Sequence, residues 1–136
     1  MEQSPWRHVL NFPEMDVQHE YLYRLFDAIE PSAHVIDSIA TKALLREIEQ
    51  YILFHFASEE HLMRLYGVPT FTVHQSDHEQ AGNRLAMYLD DFEAGRLNPG
   101  ALRHFLSAWL SEHSALSDSQ YVTWILDVRG KRPSLR

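Results

Sequence analysis

The placement of glycine and proline most constrains what this chain of 136 residues can fold into. The prolines and most of the glycines fall in a few short stretches, and the segments between them carry apolar residues three or four positions apart. That spacing is typical of α-helices with one buried face, whereas the alternation of apolar and polar residues that strands show is nearly absent. The sequence therefore predicts an all-α fold.

Four helices follow from these breaks. Asp16 resembles a helix N-cap, Pro31 should end or kink the first helix, and Pro99 after an asparagine is a typical helix start. We predict a single domain over residues 1–136. The predicted ranges are about 1–15 for an N-terminal arm and about 16–38, 41–65, 71–93 and 99–127 for the helices. Amphipathic helices joined by short connections favour an antiparallel up-down-up-down four-helix bundle.

Composition excludes several classes of partner. The formal charge is −7 with no run of basic residues, so we expect no nucleic acid partner. No apolar run approaches the roughly 20 residues of a membrane span, and the N-terminus has no secretory signal pattern, so we expect no membrane partner and a cytoplasmic location. Cysteine is absent, which excludes disulfides and thiolate metal sites.

Seven of the histidines and carboxylates lie near the apolar stripes of the predicted helices. They are His19, His55, Glu59, His74, His78, His113 and Asp118. Each one alone is more often a core histidine or a surface charge than a metal ligand. Together they would project toward one level of the core, where burying them without partners would cost several kcal/mol each, on the order of the desolvation penalty for polar groups. Five imidazoles with two carboxylates suit iron or zinc rather than magnesium or calcium, and seven ligands suit two ions.

The step from His113 to Asp118 is five residues, which separates the two side chains by about 140° on a regular helix. Both can face one site only if the helix is locally widened or the short aspartate reaches in sideways. Single-turn widenings of this kind often occur at functional sites. We therefore predict an irregularity between residues 113 and 118.

The order and spacing of these residues resemble the hemerythrins, most closely the bacterial ones, from Trp6 to about Ile125. The matching segments are DVQH (16–19), HFASEE (55–60) with Leu62 and Met63 following, YGVP (66–69), HQSDH (74–78) and WLSEHSALSDSQY (109–121). The resemblance implies two iron ions joined by an oxo or hydroxo bridge. It also implies that His74, His78 and His113 bind one iron, that His19 and His55 bind the other, and that Glu59 and Asp118 bridge them.

The resemblance further implies that dioxygen binds at the open position of the second iron. We expect a non-enzymatic oxygen binder used for storage, delivery or sensing; the electron donor and any protein partner stay open. Two alternatives are a di-iron enzyme, such as a peroxidase or a reductase of oxygen or nitric oxide, and a signalling module that the metal only stabilises. The paired Glu-x-x-His segments of oxidase-type di-iron bundles are absent here.

The expected wall of the oxygen pocket departs from the family at two places. Ser114 stands where a large apolar residue is usual, and Ala81, followed by Gly82, stands where a bulky one is usual. A less tight and more polar pocket should admit ligands faster and autoxidise faster. The other expected pocket or supporting residues are Phe56, Trp109, Leu110 and Tyr121.

The remaining histidines, His8, His34, His61 and His104, are expected not to touch iron. Gln18 and Glu60 neighbour ligands in sequence but should point elsewhere, with Glu60 in solvent.

Overall fold

The computed structural model describes residues 7–31 and 38–131 of the chain. Its helices are α1 (Pro13–Asp27), α2 (Ser38–Leu65), α3 (Phe71–Glu93), α4 (Pro99–His113) and α5 (Ser119–Lys131). A π-helical segment, Ser114–Asp118, joins α4 to α5, so the three form one continuous rod. No strand occurs in residues 7–31 and 38–131, and the predicted all-α four-helix bundle is confirmed.

The helices pack in a closed ring, with contacts between α1 and α2, α2 and α3, α3 and α4, and α4 and α1. Short connections join α2 to α3 and α3 to α4, and Gly67 and Gly95 take the left-handed conformation that ends α2 and α3. Asn98 caps α4 as predicted, since its side chain accepts a hydrogen bond from the Ala101 amide. Within the described part of the chain, no helix combines the length and hydropathy needed to cross a bilayer.

The first helix differs from its predicted range. It begins at Pro13, which occupies the first turn, and not at Asp16. The Asp16 carboxylate instead accepts hydrogen bonds from the amides of Leu10 and Phe12, and so fixes the arm against the helix. The helix ends at Asp27 rather than near residue 38, and α2 begins at Ser38 rather than near residue 41. The fourth helical rod runs on to Lys131, beyond its predicted end near residue 127.

Two apolar clusters fill the bundle. The larger one contains Leu22, Ile52, Leu85 and Leu110, and the smaller one lies toward the arm and contains Met15, Met63, Val122 and Ile125. Along each helix the polar residues of the predicted site fall between the residues of these two clusters. The site is therefore a polar layer inside an otherwise apolar core.

Candidate metal centre

The structure brings all seven predicted ligand side chains together, and all seven are buried. They form two groups that share the Glu59 carboxylate, and within each group the donor atoms lie within 4.8 Å of one another. One group is Glu59, His74, His78 and His113, and the other is His19, His55, Glu59 and Asp118. The helical spacing therefore places the donors as the sequence predicts.

Asp118 reaches the site because of the π segment. The five residues Ser114–Asp118 form a wider turn between α4 and α5, which confirms the predicted irregularity. The extra residue turns the Asp118 carboxylate inward, so one oxygen lies 3.2 Å from His113 Nε2 and 3.0 Å from His74 Nε2. The same widening leaves Leu116 on the surface, 69% exposed.

Two side chains outside the predicted set orient the imidazoles. His55 Nδ1 donates to the Gln18 side-chain oxygen at 2.7 Å, and His78 Nδ1 donates to Glu60 at 2.9 Å. The Glu60 carboxylate also accepts from Gln75, so the prediction that Glu60 and Gln18 point away from the site is wrong. With Nδ1 of each ring engaged in this way, Nε2 of both rings faces the Glu59 carboxylate.

The inward-facing nitrogen and oxygen atoms lie close together with too few hydrogen-bond donors among them. His19 Nε2 lies 3.1 Å from His55 Nε2, and His113 Nε2 lies 3.0 Å from His74 Nε2. Among the described residues, no donor makes a well-formed hydrogen bond to either oxygen of Asp118, although that carboxylate is fully buried. Buried lone pairs that converge without donors are costly, and a bound cation removes that cost. The donor set therefore fits a pair of metal ions.

The ionisation of the two carboxylates also favours a bound cation. Burial alone would raise the pKa of Glu59, but the imidazoles of His55 and His74 outweigh burial and lower that pKa to about 2. Burial likewise opposes ionisation of Asp118, yet its contacts with His113 and His19 hold its pKa well below the usual range. Both carboxylates are thus ionised at neutral pH and carry negative charge into the core.

The histidines divide by environment. Burial lowers the pKa of His55 to about 4, although the Glu59 charge opposes that shift, so His55 is neutral at physiological pH. Burial would lower the pKa of His74 as well, but the Asp118 and Glu59 carboxylates outweigh burial and raise that pKa to about 9. In the metal-free protein a proton on His74 thus offsets part of the negative charge that metal ions would otherwise neutralise.

Aromatic and apolar side chains enclose the polar layer. Phe56 stacks on His78 at a centroid distance of 4.0 Å, and Trp109 stacks on His113 at 4.5 Å. The Tyr121 hydroxyl donates to Glu59 Oε2 at 2.8 Å, as its predicted supporting role requires. Leu110 contributes to the wall of a cavity described below.

One turn beyond the ligands toward the larger apolar cluster, the four helices leave a cavity of about 20 Å³. Leu22, Phe56, Ala81 and Leu110 contribute to its lining, which exposes no polar surface. Each of these residues lies one to three positions from a residue of the two donor groups. An apolar chamber thus adjoins the site, and Ala81 lies in its wall.

The four histidines outside the predicted ligand set lie in different surroundings. His61 and His104 are exposed, in agreement with the prediction, and His34 lies outside the described residues. His8 lies outside both donor groups, but its Nδ1 lies 3.1 Å from the hydroxyl of the buried Ser114. Neither this contact nor those of Gln18 and Glu60 leaves a signal in the sequence, because the partners are far apart along the chain.

Comparison with known proteins identifies the family. A family model described as the hemerythrin HHE cation binding domain matches residues 11–125. The chain belongs to the hemerythrin family. A bacteriohemerythrin of Stenotrophomonas maltophilia is 30% identical over 118 residues, which cover 85% of this chain and 77% of that protein. A bacteriohemerythrin of Pseudomonas aeruginosa is 29% identical over 119 residues, which cover 86% of this chain and 78% of that protein.

Solved structures show the same fold. A crystal structure of wild-type hemerythrin superposes with a TM-score of 0.78 at 23% identity, covering 89% of this chain and 94% of that one. A hemerythrin variant with one leucine replaced by alanine superposes with a TM-score of 0.80 at 22% identity, covering 91% and 95%. Hemerythrins hold a non-haem di-iron centre, and the two buried donor groups suit it, so the cofactor of this chain is a pair of iron ions.

Proposed function

We propose that this hemerythrin-family chain binds dioxygen reversibly at a di-iron centre and does not turn over a substrate. The observation that carries this proposal is the pairing of the two buried donor groups with the adjoining apolar cavity. A cavity with room for about one water-sized molecule admits a diatomic gas but not a larger organic substrate.

The ligand assignment that we propose follows the grouping of the donors. His74, His78 and His113 bind the first ion, because their donor atoms gather with Glu59. His19 and His55 bind the second ion, in the group that contains both Glu59 and Asp118.

Asp118 would contact both ions in this assignment, since its oxygens lie 3.0 Å from His74 Nε2 on one side and 3.4 Å from His19 Nε2 on the other. Glu59, which both donor groups share, would do the same. The second ion would then have one protein ligand fewer than the first and could take dioxygen.

When bound, the iron pair supplies the two electrons that reversible dioxygen binding takes up. The protein contributes the surroundings. Phe56 and Leu110 keep water away on the cavity side, and the hydrogen bonds from His55 to Gln18 and from His78 to Glu60 hold the imidazoles in one tautomer. Tyr121 remains a neutral donor to Glu59, because its pKa is raised above the usual range. Burial is the larger cause of this shift, and the nearby carboxylates add to it.

The experiment is an iron analysis and an absorption spectrum on protein reduced without air and then exposed to dioxygen. Two irons per chain, with a visible band that appears with dioxygen and fades under vacuum, is the expected result. His55→Gln should lose the band, whereas His61→Gln, an exposed histidine on the same helix, should keep it. Zinc in place of iron, or iron that becomes diferric without first showing a band that vacuum reverses, would overturn the proposal.

A further inference from the structure

The first residue of the π segment, Ser114, is fully buried but has a polar partner in the N-terminal arm. Its hydroxyl lies 3.1 Å from Nδ1 of His8, a residue 106 positions earlier in the chain. His8 itself is only half-buried. One imidazole therefore spans the distance between the protein surface and a hydroxyl in the interior.

Ser114 lies on the inner face of its helical rod. Leu110, Ser114 and Asp118 follow one another at intervals of four residues, and they are 2%, 0% and 0% exposed. Leu110 lines the apolar cavity and Asp118 belongs to a donor group. Ser114 thus lies on the same inner face as a residue of the chamber wall and a residue of one donor group, and it directly follows His113 of the other donor group.

The arm holds His8 in place from both sides. Arg7 forms an ion pair with Asp27 and lies 4.5 Å from the centre of the Tyr23 ring. On the other side, Leu10 donates its amide to the Asp16 carboxylate at 2.8 Å. His8 is therefore anchored against the bundle and is not at the end of a free tail.

We propose that His8 and Ser114 form a path for protons between solvent and the dioxygen pocket, an inference that rests on the proposed function. Dioxygen that leaves as hydrogen peroxide carries away two electrons, one from each iron(II), and two protons. The Ser114 hydroxyl gives its proton toward the pocket and takes one from His8, which is reprotonated from solvent. Imidazole is the side chain best suited to pass protons near neutral pH.

The consequence is a short lifetime for the oxygenated protein. A storage protein keeps protons away from bound dioxygen, whereas this path supplies them and favours conversion to the diferric form. The chain then reports the presence of dioxygen by a change of oxidation state more readily than it stores the gas.

Variants at the two ends of the path separate proton transfer from simple anchoring of the arm. His8→Gln keeps a side chain that can hydrogen bond to Ser114 but cannot relay protons at neutral pH. His8→Ala removes the group and leaves room for added imidazole. Ser114→Ala removes the hydroxyl, and His104→Gln, on the exposed face of α4, is the matched control.

The measurement is the rate at which the oxygenated, iron-loaded protein becomes diferric. We expect His8→Gln and Ser114→Ala each to slow it about tenfold or more, the scale of general acid catalysis, and the double variant to be no slower. Added imidazole should restore the rate in His8→Ala, and His104→Gln should match the parent protein. As a second readout, the Nδ1 nitrogen resonance of His8 in zinc-loaded protein should shift in Ser114→Ala.

The outcomes are distinguishable. If the parent protein takes up two irons but no dioxygen, the proposed function fails and this inference fails with it. If dioxygen binds but His8→Gln becomes diferric at the parent rate, or the His8 resonance ignores Ser114→Ala, only the proton path is overturned.

Discussion

Replacing Tyr121 by phenylalanine is expected to destabilise the metal-free protein through the loss of one hydrogen bond. The hydroxyl donates to Glu59 Oε2 at 2.8 Å, and both residues are 0% exposed. Glu59 is ionised at neutral pH, because the imidazoles around it hold its pKa at about 2 against the effect of burial. No water is at hand to replace the lost donor at a fully buried carboxylate.

The size of the loss follows from the type of bond. A hydrogen bond to a charged group contributes about 1.5–3 kcal/mol, and leaving a buried acceptor unsatisfied lies at the upper end of that range. Phenylalanine keeps the ring, so no cavity larger than the hydroxyl is made. We therefore expect the free energy of unfolding to fall by about 2–3 kcal/mol.

A matched control exists on the surface. Tyr21 donates to the Glu47 carboxylate, but Tyr21 is 38% exposed, so water can replace the bond. Tyr21→Phe should therefore lower the free energy of unfolding much less than Tyr121→Phe does. The assay is urea denaturation of the metal-free variants at pH 7, with unchanged dependence on urea as evidence that two-state unfolding is preserved. A loss below about 0.5 kcal/mol for Tyr121→Phe, or an equal loss in both variants, would refute the reasoning.

Three further predictions concern the metal and its surroundings. Iron should be lost on dialysis at about pH 4.5, because imidazole must be neutral to bind metal; metal analysis that finds full retention would contradict a mostly histidine site. The pKa of His74 is raised to about 9 in the folded metal-free protein. Protonated His74 therefore contributes to the free energy of unfolding, fully below its unfolded pKa of 6.5, and this contribution is lost as the pH rises through 9. Denaturation between pH 6.5 and 9.5 should show a fall approaching about 3 kcal/mol that persists in His61→Gln and disappears in His74→Gln. Glu60→Gln should weaken iron binding about tenfold in a chelator competition, because the charged acceptor of the His78 Nδ1 proton is lost, whereas Glu79→Gln on the exposed face of α3 should not.

The sequence was sufficient to predict which residues of a single helix share a face. His74 and His78 are four residues apart, and this spacing alone places both on one side of α3. On a regular helix, the five-residue step from His113 to Asp118 would point the two side chains in different directions. The π segment between them turns both toward the site. Such predictions depend only on the geometry of the helix, which is the same in every protein.

Tertiary structure alone decided which residues support the ligands. Gln18 meets His55 across α1 and α2, Glu60 meets His78 across α2 and α3, and His8 reaches a serine in the π segment. These partners are 37, 18 and 106 residues apart, so the angle and register of helix packing determine each contact. Tertiary structure also decided where α1 begins. The Asp16 carboxylate accepts hydrogen bonds from amides of the arm and does not cap the helix, which begins at Pro13. Periodicity along a helix specifies the face on which a side chain lies, and only the packed bundle specifies what that face meets.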